Sequence, residues 1–131
     1  MIGLDTNVIV RYVAQDDPKQ SPKATRLIES LTADAPGYVD VVSVVELVWV
    51  LTDCYALDKG ELCEVLETLL RTKEIVVAQT DIVWKALRLF QEGKADFADC
   101  LIERSANEAG CGYTTTFDRD AAKYCGMRLI D

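Results

Sequence analysis

Short apolar runs alternate along this chain with longer segments of helical period, and no other feature restricts its fold as strongly. Met1 to Leu4 reads as a short buried strand that stops at Asp5, and Val8 to Val13 carries the apolar pattern into a first helix. Ser21 followed by Pro22 has the form of a helix start, with Ala24, Leu27, Ile28 and Leu31 on one face and Pro36-Gly37 closing the segment. Tyr38 to Val42 is β-branched enough for a strand, after which Ser43 opens a helix running from Val44 to Leu51. Asp58 and Glu61 have capping-box spacing ahead of Leu62, Val65, Leu66, Leu69 and Leu70. Ile75 to Ala78 is a buried strand, and Asp81 caps a helix that carries Val83, Leu87 and Phe90 and ends at Gly93. A further helix runs from about Asp96 to Ala109 before Gly110, Gly112 to Thr116 is a strand, Asp118 to Tyr124 a short helix, and Arg128 to Ile130 a last strand.

Strands that alternate with helices imply a parallel sheet covered on both faces. The expectation is an α/β fold, a three-layer α/β/α sandwich with a central, mainly parallel sheet, forming one domain over residues 1–131. No segment approaches the roughly 18 uncharged apolar residues of a membrane span, and no basic signal region precedes the first strand. A cytoplasmic protein without membrane contact is therefore expected.

Composition then narrows the chemistry. The chain contains no histidine, which removes the usual general base, the Ser-His and Cys-His nucleophile pairs and most zinc sites. The five cysteines are widely spread with no zinc or redox spacing, so they read as small buried hydrophobes. Catalysis must then run on carboxylates, with a hard, oxygen-seeking cation. The net charge of −8 opposes generic nucleic-acid binding, unless several acids gather around cations that neutralise them locally.

In parallel sheets ligands bind beyond the carboxyl ends of strands, which directs attention to Asp5 and Asp118. Either could equally be a helix N-cap. Glu46 interrupts an apolar run, so it is either a buried acid that something compensates or the partner of Ser43 in a capping box. Asp96, Asp99 and Glu103 fall within about 60° on one helical face, the pattern of a shared site or of a solvated acidic face.

Leu4-Asp5-Thr6-Asn7-Val8, the Ser43 to Glu46 helix opening, Asp96-Phe97-Ala98-Asp99-Cys100-Leu101-Ile102 and Thr116-Phe117-Asp118 resemble the successive signature blocks of PIN-domain nucleases, especially VapC toxins. The likeness spans essentially the whole chain, with Cys100 standing where the family pattern has alanine. It implies a Mg2+- or Mn2+-dependent endoribonuclease in which Asp5, Glu46, Asp99 and Asp118 bind metal, an RNA substrate, a homodimer and a cognate antitoxin. Within that set Asp5 and Asp99 are expected as direct ligands, with Glu46 and Asp118 completing the site. Thr6, Asn7 and Thr116 would orient the carboxylates, and Asp96 is either a cap or a fifth acid.

A receiver-like phospho-acceptor domain fits less well, since Asp5 has no acidic neighbour and Lys123 lies in a helix. An aspartyl phosphatase would need an acid where Asn7 stands. A catalytically inactive PIN-like scaffold is opposed by the presence of all four acids.

Overall fold

The computed structural model describes residues 1–130; Asp131, the last residue of the expected domain, lies outside the described residues. The chain divides into two compact units, Met1–Ala78 and Gln79 onward. In the first, β1 (Ile2–Gly3), α1 (Thr6–Ala14), α2 (Gln20–Glu29), β2 (Gly37–Val39), α3 (Val41–Asp53), α4 (Lys59–Arg71) and β3 (Ile75–Val77) follow one another. The second holds α5 (Thr80–Glu92), α6 (Phe97–Glu108), β4 (Thr115–Thr116), α7 (Arg119–Cys125) and β5 (Arg128–Leu129).

The expected α/β class with parallel strands is what the chain adopts. In the first unit β2 lies between β1 and β3, both parallel to it, with Ile2 opposite Gly37 and Val39 opposite Val77. Each step to the next parallel strand needs a crossover, and here a pair of helices supplies each one. In the second unit β4 and β5 pair in parallel around α7. The strands are shorter than the apolar runs predict: Met1 to Leu4 contracts to two paired residues, Gly112 to Thr116 to Thr115–Thr116. Nor is β1 buried, since Ile2 and Gly3 are exposed and only Leu4 beyond them is covered.

Gly37 explains how β2 sits against its neighbours. A Cβ there would come within 2.7 Å of Leu4 Cδ1 and 3.0 Å of Leu31 Cδ1, so a side chain at this position would displace the core. That core continues through Val39, Val44, Leu47, Leu51 and Leu66, all nearly inaccessible. In the second unit α5 and α6 pack together around Val83, Leu87, Phe97 and Cys100, with the Phe90 and Phe97 rings edge to face at 5.7 Å.

Helix starts show where local signals succeed and where they mislead. The Asp58–Glu61 capping box forms in full: Asp58 Oδ1 accepts from the Glu61 amide at 2.9 Å, and Glu61 Oε1 accepts from the Asp58 amide at 3.1 Å. Ser43, by contrast, does not open α3. Asp40 caps it, its carboxylate accepting from the Val42 amide at 3.1 Å, so Val41 and Val42 belong to the helix rather than to β2. Ser21 also lies inside its helix, donating to the Arg11 carbonyl at 2.8 Å, while Asp17 accepts from the amides of Lys19 and Gln20. Asp81 sits in the first turn of α5 rather than at its cap, where Gln79 takes a left-handed conformation.

Candidate functional site

Asp5 stands just beyond β1 and caps α1, its Oδ1 accepting from the Thr6 amide at 2.9 Å. Its side chain is exposed. The next residue, Thr6, is buried, and a buried hydroxyl needs a partner. It finds one 40 positions away: Thr6 Oγ1 donates to Glu46 Oε1 at 2.9 Å, across the packed pair α1 and α3. The first unit therefore brings Asp5, Thr6 and Glu46 together.

Both sequence readings of Glu46 are corrected by this arrangement. The side chain is exposed rather than buried, and it forms no box with Ser43 because the helix begins earlier. Asn7 is exposed and bonds none of the carboxylates among the described residues. Asp40, which sequence reasoning passed over, stands at the carboxyl end of β2. Its position after a strand is the signal that could have found it, but its carboxylate is engaged by the Val42 amide and the Tyr38 hydroxyl.

In the second unit, Asp96 caps α6, its Oδ1 accepting from the Ala98 amide at 3.1 Å. Asp118 caps α7, with Oδ1 accepting from the amides of Asp120 at 2.8 Å and Ala121 at 3.0 Å. Thr116 steadies this turn, its Oγ1 accepting from the Asp118 amide at 3.0 Å. Asp99 is different. It lies in the first turn of α6, half-buried, with no hydrogen-bond or ion-pair partner among the described residues. Burial first, then the charges of Asp96 and Asp118, hold its carboxyl above the ordinary value of 3.8.

Glu103, grouped with these acids by helical spacing, is buried and paired with the adjacent Arg104, whose basicity rises through that bond. Cys100 and Cys125 are buried with their sulfurs 3.7 Å apart, and burial pushes the Cys100 thiol up to about 12, so it is a poor nucleophile. Cys54 and Cys111 are exposed, against the expectation that the cysteines are buried.

The donor chemistry fits a hard cation, since the acids are carboxylates and Asp99 lacks a counter-charge. Among the described residues no three His, Cys, Asp or Glu side chains are gathered closely enough to form a ready cage. The fit is thus one of donor type, suited to an ion such as magnesium that keeps several of its waters.

Parallel strands with acids beyond their carboxyl ends, and no histidine, define an α/β protein whose candidate site is made of carboxylates. The chain belongs to the PIN domain family, whose model matches residues 2–127. A VapC ribonuclease of Aquifex aeolicus (strain VF5) is 24% identical over 128 residues, covering 98% of this chain and 94% of the relative. The FitAcB crystal structure from Neisseria gonorrhoeae aligns with 100% of this chain and 97% of its own, at 18% identity and a TM-score of 0.38. The family match sets aside the receiver-like alternative. Among the described residues no helix is long and apolar enough to cross a membrane.

Proposed function

We propose that this protein is a Mg2+- or Mn2+-dependent endoribonuclease and the toxin of a toxin–antitoxin pair, with Asp5, Glu46, Asp99 and Asp118 as its catalytic acids. Membership of the PIN family supports the nuclease class, and the likeness to a VapC ribonuclease supports RNA as substrate. The state of Asp99 carries the reading: a carboxylate pressed by burial and two like charges, with no counter-ion of its own, is one that a cation relieves.

Asp5 and Asp99 are the direct metal ligands in this reading, and Glu46 and Asp118 complete the set. A divalent cation would neutralise the acids, acidify water and stabilise charge on the phosphodiester. Thr6 holds Glu46 in one orientation through its hydroxyl, and Thr116 fixes the turn that presents Asp118. Asp96 serves as the cap of α6. We read the whole chain, residues 1–131, as one PIN-like domain that works as a homodimer in the cytoplasm and is held inactive by a cognate antitoxin protein.

The test is cleavage of total cellular RNA by the purified protein. Cutting should require Mg2+ or Mn2+, stop in excess EDTA, and be lost in Asp5→Asn and Asp99→Asn while both variants stay folded. Robust cleavage in EDTA would overturn the metal assignment, and no cleavage with any divalent ion would favour a binding scaffold.

A further inference from the structure

Phe117 is 79% exposed, more than any other large apolar side chain among the described residues. A single apolar side chain in water is ordinary in itself. Its position is not. Phe117 lies between Thr116, the last residue of β4, and Asp118, the cap of α7. The backbone is pinned on both sides: the Ile130 amide donates to the Thr116 carbonyl at 2.9 Å, and the Asp118 amide donates to Thr116 Oγ1 at 3.0 Å. The ring is thus carried on a fixed stretch of chain, one residue from a proposed catalytic acid.

Exposure alternates along this segment, with Tyr113, Thr115 and Phe117 open and Thr114 and Thr116 half-covered, so two aromatic rings stand on its outward side. The Arg128 guanidinium lies over the Tyr113 ring, 4.0 Å from its centroid. Neither Arg128 nor Arg119, which follows Asp118, makes an ion pair among the described residues. Arg119 lies between Asp118 and Asp120 in sequence and Arg128 already rests on the Tyr113 ring, so on a chain of net charge −8 these two guanidinium groups temper the acidic surroundings without reversing them.

We infer that Phe117 is a stacking platform for one base of single-stranded RNA next to the cleaved bond, with Arg119 and Arg128 meeting the neighbouring phosphates; this rests on the ribonuclease reading. Acidic surroundings repel a polyanion, and stacking supplies affinity that does not depend on charge. Every base has a π-face, so such a platform tolerates sequence while holding the strand in register. An aromatic ring also has few torsions to freeze on binding. Two arginines without an ion pair among the described residues favour a polyanion over an apolar protein segment as occupant.

The test uses a short single-stranded RNA carrying a fluorescent adenine analogue, titrated with the protein in EDTA and then cleaved in Mn2+. Wild type should quench the analogue. Phe117→Leu keeps apolar bulk but no π-face, and it should lose the quench and raise KM about tenfold with kcat little changed, whereas Phe117→Trp retains both. Unchanged binding and KM in Phe117→Leu would overturn the platform. So would a fall in kcat alone that Trp does not rescue, since Phe117 would then only support Asp118. A variant normal on RNA but unable to bind its protein partner would reassign the ring to a protein interface. If wild type quenches the analogue yet cuts nothing with metal, the platform stands and the ribonuclease reading fails.

Discussion

Asp96 and Asp99 are three residues apart and chemically identical, yet α6 gives them different work. Asp96 precedes the first turn with extended backbone, so its carboxylate can fold back onto the Ala98 amide. Asp99 is already helical and cannot reach an amide in this way, which leaves its charge uncompensated. An acid whose folded pKa is raised weakens the fold once ionised. Below 3.8 both folded and unfolded states keep the proton and nothing is lost; the penalty grows as pH rises through that value and is complete above the raised folded one. Asp99→Asn in EDTA should therefore melt above wild type at neutral pH, with the difference vanishing as pH falls below 3.8. Thermal melts across that window check this, and a pH-independent difference would mean that the substitution acts through packing. Asp96→Asn should keep stability and measurable cleavage, because asparagine caps as well as aspartate.

At the scale of the element, the contrast between α3 and α4 shows which local signals to trust. Both carry a polar residue three positions ahead of a glutamate, but only the α4 pair forms the box. In α3 the strand β2 ends at Val39, and Asp40 is the first residue free to cap. Starting the helix there turns Glu46 toward Thr6 instead of toward Ser43. Asp40→Ala should cost about 1 kcal/mol of stability, whereas Ser43→Ala should change it by less than about 0.5 kcal/mol. Urea unfolding of the two variants side by side decides the matter, and equal losses would return the cap to Ser43.

For the molecule as a whole, the proposed metal site would couple stability to cations. A ligand that binds only the folded state stabilises it by about 2.7 kcal/mol at a hundred times its dissociation constant. Mn2+ should accordingly raise the melting temperature of wild type and leave that of Asp5→Asn and Asp99→Asn little changed. An equal rise in all three would indicate binding elsewhere on the acidic surface. The same measurement with Phe117→Leu should follow wild type, since that ring carries no charge.

Local chemistry is what a sequence states directly, and here it determined the order of strands and helices, the parallel α/β class, the carboxylate character of the candidate site and the Asp58 and Asp118 caps. Each follows from residues a few positions apart, within reach of one turn or one strand. What lies between distant residues was decided by packing alone. The Thr6–Glu46 bond spans 40 positions, and the Cys100–Cys125 contact spans 25. The burial of Glu103 beside Arg104 and the exposure of Phe117 depend on which faces of α6 and of the turn after β4 are covered by neighbouring elements. Helical spacing gave Glu103 the same face as Asp99, but tertiary packing buried one and left the other half-open, because a periodic pattern specifies a direction from the helix axis and not what stands there.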